Sequence, residues 1–348
     1  RLNINMSDFK INSIATKQGQ HGPIIAGVST VNSTGCMKIP SGPTEHRGGR
    51  GRGVILNQST PGLSTQNDFI TIATTGNSQD FGNQSVARYS KGGFASSTRG
   101  FDAGGSDPSF KTNIEYVIIS SQGGGNEFGD LSLARSYPAG ASNATRCIIG
   151  AGSVAPAPGS QTNSIEFVTM ASTGNASDFG DLTLSRTYMS GAGCQSTTRG
   201  IFAGGHPMNT NLIDFVLFST KGTGTKFGDL TLARSGISAG SNATRGIFAG
   251  GSDGAQSPSA GVNTIDFITM ATEGNATDFG DATTANFRWM GAGMYSATRG
   301  VHCGGYPATN TIQFITVATE GNAQDLSLIH ISEPTRPRLI SYAVFCLK

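Results

Sequence analysis

Arginine is the charged residue that recurs most regularly in this chain. Arg99, Arg146, Arg199, Arg245 and Arg299 each stand second in an octapeptide whose copies read TRGFDAGG, TRCIIGAG, TRGIFAGG twice, and TRGVHCGG. A planar guanidinium at a fixed place in a repeated unit can fork onto a carboxylate or onto main-chain carbonyls. Asp130, Asp181, Asp229 and Asp281, each after a repeated Phe-Gly, supply carboxylates at the same period. The expectation is structural, each arginine tying its unit to a neighbouring one; a ring of guanidinium groups holding an anion in a central channel is the alternative. A second set, Asp107, Phe110, Lys111, His206, Asp253 and Tyr306, lies where the copies differ. These are candidate contacts for a glycan or a protein, aromatic faces for sugar rings and carboxylates for hydroxyls.

Other chemistry finds little support. His21, His46, His206 and His302 do not pair with cysteines or carboxylates at metal-ligand spacing. Cys36, Cys147, Cys194, Cys303 and Cys346 form no CxxC and no paired framework. Neither metal nor cofactor is expected, and no catalytic residue is assigned. DFG occurs at Asp80, Asp178 and Asp278, whereas a kinase places it once, after a catalytic loop absent here. RGGRGRG (Arg47 to Gly53) resembles an RNA-binding element, but Arg52 falls on the repeat's own arginine position, so a strand lead-in is the reading and no nucleic-acid partner is expected. The NAT sequons at Asn143 and Asn242 recur because the repeat does. GSDG at Gly251 lacks the spaced oxygen ligands that calcium requires. Asp boxes of the sialidase type are absent, and Trp289 is the only Trp.

The elements that position these residues are short strands. Glycine, at 50 of 348 residues, is about twice as frequent as usual, while charged residues make up 13%. The octapeptide, with a degenerate first copy GRGVILNQ from Gly51, is nearly all apolar or small and suits a strand covered on both faces. Ile265 to Met270 alternates with period two, as a strand with two faces does. TEGNATD then supplies turn residues, and FGDLTLAR reads as a further strand. From the first aromatic (Phe69, Tyr116, Phe167, Phe215, Phe267) to the Phe of FG (Phe81, Phe128, Phe179, Phe227, Phe279) every copy spans 12 residues, a fixed hairpin. From the octapeptide arginine to the next aromatic the count runs 17, 17, 21, 16, 22 and 15, so this connection alone varies freely. A unit of 46 to 54 residues with four short strands has the size of a propeller blade, and no helical period is present. The fold class is therefore all-β, a propeller of about six four-stranded blades. Large phenylalanines fill the widening wedges between outer strands.

Three segments follow. Residues 1–38 read as a lead-in or linker, with Gly22 to Val31 as a strand that could close the ring; 39–325 are the repeats. The segment LSLIHISEPTRPRLISYAVFCLK, Leu326 to Lys348, interrupts the sixth unit just before its expected FGDL. Leu326 to Arg336 reads as the translated transposase end of a sequencing-library adapter, and Ile340 to Leu347 as the flow-cell end of the same adapter. This tail is expected to be non-native and disordered. Without it the chain holds 21 basic and 21 acidic residues, so no general attraction to polyanions is expected. No apolar run is long enough to insert in a membrane.

The order of arginine, strand ending in Gly-Gly, aromatic strand, bulky aromatic and Leu-x-x-x-Arg resembles the kelch repeat, with Phe179, Phe227 and their equivalents where kelch blades carry Trp. PSGPTEHRGGRGRG (Pro40 to Gly53) followed by arrays of TIDFITMATxGNATDFGDLT is similar to repeat proteins of marine bacteriophages, those of cyanobacteria above all. That resemblance implies a non-enzymatic binding or structural chain of a phage tail fibre, located on the virion. Its partners would be a host-surface glycan or protein, or other virion proteins. A bacterial kelch-like interaction module or adhesin, and a glycan-degrading tailspike enzyme, are the alternatives. In a four-stranded meander the variable connections all emerge on one face, where recognition residues are expected.

Overall fold

In a computed structural model, the residues described are 51–56, 63–155, 160–189, 193–207, 209–254, 261–284, 292–305 and 311–328. Antiparallel meanders form at each repeat, and six of them close into a six-bladed β-propeller. Blade 5 shows the build: an innermost strand Ser238–Ser241, a second strand Arg245–Ala249, a third Thr264–Thr269 and an outermost Thr277–Asp281. The octapeptide is the second strand. The innermost strand is the small-residue segment that precedes it in sequence, paired through Ser238↔Ala249 and Ser241↔Gly246. A blade therefore begins one strand earlier than the repeated octapeptide suggests. Blade 1 has three strands among the described residues, Arg52–Ile55, Gln66–Thr71 and Gln79–Asn83. The segment read as lead-in or closing strand, residues 1–38, lies outside them.

Residue size sets radial position. The innermost strands read GGFA, AGAS, GCQ, SAGS and AGMY, and they pack side by side around the axis. Main chain meets main chain there: a Cβ on Gly140 would strike the carbonyl of Gly93, and one on Gly293 that of Ala239. Ser142 donates to Ala95 O at 2.7 Å and Ser241 donates to Gln195 O at 2.6 Å, stitching neighbouring innermost strands. Further out the wedges widen, and aromatic pairs fill them. Phe81, Phe128, Phe179, Phe227 and Phe279 are all buried. Each packs edge-on against the aromatic of the third strand at 5.9–6.1 Å between ring centres, the geometry aromatic quadrupoles favour.

The outer seams are also main chain on main chain. Gly274 N donates to Phe227 O and Ala276 N to Asp229 O, so the hairpin turn of blade 5 docks on the outermost strand of blade 4. Gly228 lies between these bonds, and a Cβ there would run into the carbonyl of Gly274. Gly228→Ala should therefore wedge this seam open and cost about 1–3 kcal/mol, as overpacking does. A urea-unfolding midpoint equal to that of the parent would refute this account of the seam.

Closure of the ring is carried by distant residues. Arg299 of blade 6 donates to Ile72 O of blade 1 at 3.2 Å, and Met294 lies against Gly53. The outermost strand of blade 6 is Gln324–Leu328, paired to Thr311–Thr316 through Phe314↔Gln324 and Gln313↔Asp325. Its last three residues belong to the segment expected to be foreign and disordered. Leu326 takes the place of the repeated phenylalanine and is buried in the same core as Val54 and Phe69. A one-in-two alternation of polar and apolar residues is all that an outer strand position requires, which is why Asp325 to Leu328 fits. The rest of the tail, 329–348, lies outside the described residues.

Candidate functional site

The repeated arginines lie at the start of each second strand, half-buried. Each guanidinium covers the aromatic ring of its own third strand: Arg52 on Phe69, Arg99 on Tyr116, Arg146 on Phe167, Arg199 on Phe215, Arg245 on Phe267 and Arg299 on Phe314, at 4.2–4.7 Å from the ring centre. The same group donates to a carbonyl of the next blade, Arg99 to Met170 O at 3.0 Å, Arg245 to Val317 O at 3.1 Å, and Arg146 to Phe218 O. Each of these arginines thus joins its own third strand to main chain of the blade that follows. These groups stand on the second strands, outside the innermost ones, where rings and carbonyls take up the guanidinium. A shallow depression of about 280 Å³ lies beside Arg146, lined also by Asn143, Thr197 and Phe218.

The expected carboxylate partners are placed elsewhere. Asp130, Asp229 and Asp281 act at the outer seam through main chain, each N–H donating to the Oδ1 of Asn175, Asn275 or Asn322 in the next blade at 3.0–3.1 Å. Asp181 accepts there through its carbonyl from Gly224 N at 2.6 Å. The Asp130 carboxylate takes Thr112 Oγ1 at 2.8 Å, and that of Asp229 pairs with Lys226 at 2.7 Å. Among the described residues Glu273 and Glu320 pair with the half-buried Arg199 and Arg245 at the surface.

A different arginine series forms the buried electrostatic centre of four junctions, and sequence reading passed over it. Arg88, Arg135, Arg186 and Arg234, the last residue of each Leu-x-x-x-Arg or its equivalent, are completely buried. Each leaves the outermost strand of one blade and enters the next. There it pairs with an acid on the third strand: Arg88 with Glu115 at 2.7 Å, Arg135 with Glu166, Arg186 with Asp214 at 2.6 Å and Arg234 with Asp266 at 3.1 Å. The other nitrogen fastens the turn after the second strand, Arg88 Nη1 on Gly104 O at 2.6 Å and Arg186 Nη1 on Gly204 O at 2.7 Å. The Gly-Gly of the octapeptide is this turn. Gly104 and Gly105 have φ of +67° and +99°, and a Cβ on either would meet main-chain carbonyl oxygens. Burial pulls the Arg186 guanidinium below its ordinary value against the pull of Asp214, and burial lifts the Asp214 carboxyl despite Arg186. Desolvation thus outweighs the attraction in this pair, as it can for buried ions.

Two blades depart from the pattern at one position of the second strand, where blades 4 and 5 hold Phe202 and Phe248. Blade 2 has Asp102, completely buried between Arg88 at 3.0 Å and Lys91. Burial works to raise the Asp102 carboxyl, but the two cations together hold it below its ordinary value. Burial brings Lys91 down to about 8. Blade 6 has His302, with Nδ1 at 2.8 Å from Ser238 Oγ and Nε2 at 2.6 Å from the Tyr295 hydroxyl. Burial drives this imidazole down to about 3, so it is neutral, with one nitrogen donating and one accepting. Serine, histidine and tyrosine in a chain resemble nucleophile machinery, yet all three are completely buried. They act as a packed polar bridge between blades 5 and 6.

The variable connections share one face, and their neighbours show it. Tyr89, Thr187 and Ser235, in the links between blades, form bridges to Ser106, His206 and Ser252 in the loops after the second strand. Of the candidate contacts, Asp107, Phe110 and Lys111 sit half-buried on a tight hairpin of blade 2, where Ser106 pairs with Phe110. His206 of blade 4 is half-buried, its ring 5.2 Å from Tyr188. Asn209 Nδ2 donates to Ser252 O at 3.1 Å, which brings the loop of His206 against that of Asp253. Tyr306 lies outside the described residues. Sequence reading missed Tyr137 and Tyr188, which form an edge-on pair at 4.6 Å beside His206. Both have positive φ, +60° and +55°, a conformation that costs about 1–2 kcal/mol for a residue with a side chain. Gly236 holds the equivalent place before blade 5 with φ of +65°.

The molecule is thus a six-bladed all-β propeller whose arginines hold blade to blade and whose unequal loops gather on one side. No protein-family model matches the chain and no curated protein matches it, so the kelch-like and phage resemblances rest on the motifs themselves.

Proposed function

We propose that this chain is a non-enzymatic binding propeller of a phage particle, a tail-fibre or receptor-binding component that presents its variable loops to a host-surface glycan or protein. One observation carries the reading. Segments of unequal length and composition are gathered on a single face by the bridges from Tyr89, Thr187 and Ser235, above a scaffold in which nearly every other position repeats. A constant frame with changeable loops on one side is how recognition surfaces are built. The buried arginines, acids and histidine are committed to packing and leave this face as the part able to meet a partner. The phage setting comes from the resemblance of Pro40 to Gly53 and of the repeat wording to marine phage arrays.

The test is adsorption of the full chain to cyanobacterial cells. Replacing Asp107, Phe110, Lys111, His206, Asp253 and Tyr306 together by alanine or serine should lower the bound fraction at least tenfold while the unfolding midpoint stays within a few degrees. Unchanged adsorption would remove the loop face from consideration.

A further inference from the structure

We propose that the cluster Tyr137, Tyr188 and His206 is a binding subsite for a neutral pyranose ring. The inference rests on the reading of the loop face as a recognition surface, and names the ligand class for one part of it. Tyr137 and Tyr188 belong to successive inter-blade links, and each lies just before the innermost strand of its blade. The links are hydrogen-bonded to one another around the axis: Tyr137 N donates to Ser90 O at 2.7 Å, Met189 N to Tyr137 O at 3.2 Å and Gly236 N to Tyr188 O at 3.0 Å. That ladder fixes the main chain at these positions in the left-handed region, where glycine is the residue without strain. Gly236 meets the demand in the usual way. Ser90, at φ +57°, and the two tyrosines meet it at a cost, and for the large half-buried tyrosines that strain is a reason to look for a role of the side chain.

The two rings, half-buried and edge-on at 4.6 Å, make an L-shaped apolar corner, with the His206 ring set edge-on to Tyr188. His206 Nδ1 is buried and has no hydrogen-bond partner among the described residues, so a ligand hydroxyl would reach it only with a turn of this half-buried ring. An apolar face edged with hydrogen-bonding groups is the chemistry of a hexopyranose, whose axial C–H bonds form a flat patch and whose hydroxyls lie around its rim. An anionic ligand fits less well. Burial holds the Tyr137 phenol above its ordinary value and the His206 imidazole below its own, so both stay uncharged at neutral pH.

The experiment uses the full chain, with saturation-transfer NMR on methyl β-glucoside, methyl β-galactoside, methyl α-mannoside and dextran, and dextran sulfate as the anionic counterpart. At least one neutral probe should receive saturation, and Tyr188→Gly and Tyr137→Gly should each weaken that binding about tenfold or more. Because glycine relieves the positive φ, the same variants should hold or raise Tm, by roughly 2 °C. That outcome separates lost binding from lost folding. Saturation transfer unchanged in both glycine variants, none to any neutral probe, or transfer to dextran sulfate alone, would overturn the subsite. If the six-residue loop variant loses adsorption while the glycine variants keep it, the subsite fails and the loop-face reading stands.

Discussion

Arg186→Met should lower the stability of the propeller by about 3–5 kcal/mol, the cost of leaving a buried charge without its partner. Asp214, completely buried, would retain Thr183 through its Oγ1 at 2.7 Å and its main chain but no cation in contact, and the carbonyls of Gly204 and Leu212 would lose the guanidinium. The chain itself indicates how the loss can be offset. In the repeat sequence the position that matches Arg186 and Arg234 next holds Asn286, which lies outside the described residues, and the matching acid position holds Gln313. Cation and anion have been exchanged together for neutral amides, and Gln313 is buried with its Oε1 accepting from Thr283 N at 2.7 Å. Arg186→Asn combined with Asp214→Gln should accordingly restore most of what either single change removes, because neither member is then a lone buried charge. Urea midpoints of the parent, both single variants and the double variant form the cycle that measures this coupling. A double variant as unstable as the worse single one would show that these residues do not act as a pair.

Acid should weaken the fold through His302. Its folded pKa is about 3 against an ordinary value of 6.5, and burial is the cause. Between those values the unfolded chain takes a proton that the folded protein refuses. Stability from this group is complete above about pH 6.5 and declines as pH falls toward 3, at about 1.4 kcal/mol per pH unit. At pH 5 the loss is about 2 kcal/mol, before most carboxylates begin to titrate. His302→Phe with Ser238→Ala copies the residues at the matching positions two junctions earlier, Phe202 and Ala139, and should flatten the dependence between pH 5 and pH 7. Equal urea-midpoint shifts across that range for parent and variant would exclude His302 as the origin.

The amino-acid order determined a good deal about this protein. The period, the twelve-residue hairpin, the small innermost strands and the wedge phenylalanines such as Phe179 and Phe227 announce a propeller, because each follows from how much side-chain volume fits at a given distance from an axis. The variable stretch after each Gly-Gly is legible for the same reason: only a segment free of the packing can change length. Hints of the buried pairs were also present. Asp266 alternates in phase with Ile268 and Met270, both buried, so a charged residue stood on the covered face of its strand and had to find a cation.

Which cation it finds is decided in three dimensions. Arg234 lies 32 residues before Asp266 and on another blade, and nothing local distinguishes it from Arg245, which instead covers a ring and holds the blade after its own. Ring closure between Arg299 and Ile72 is likewise a property of the closed circle. So is the acceptance of Leu326 into a phenylalanine's place, which the wedge allows because it selects for shape and polarity. The cluster of Tyr137, Tyr188 and His206 was invisible for the same physical reason. Its members come from successive blades and meet only because rotation about the axis brings each inter-blade link against the next.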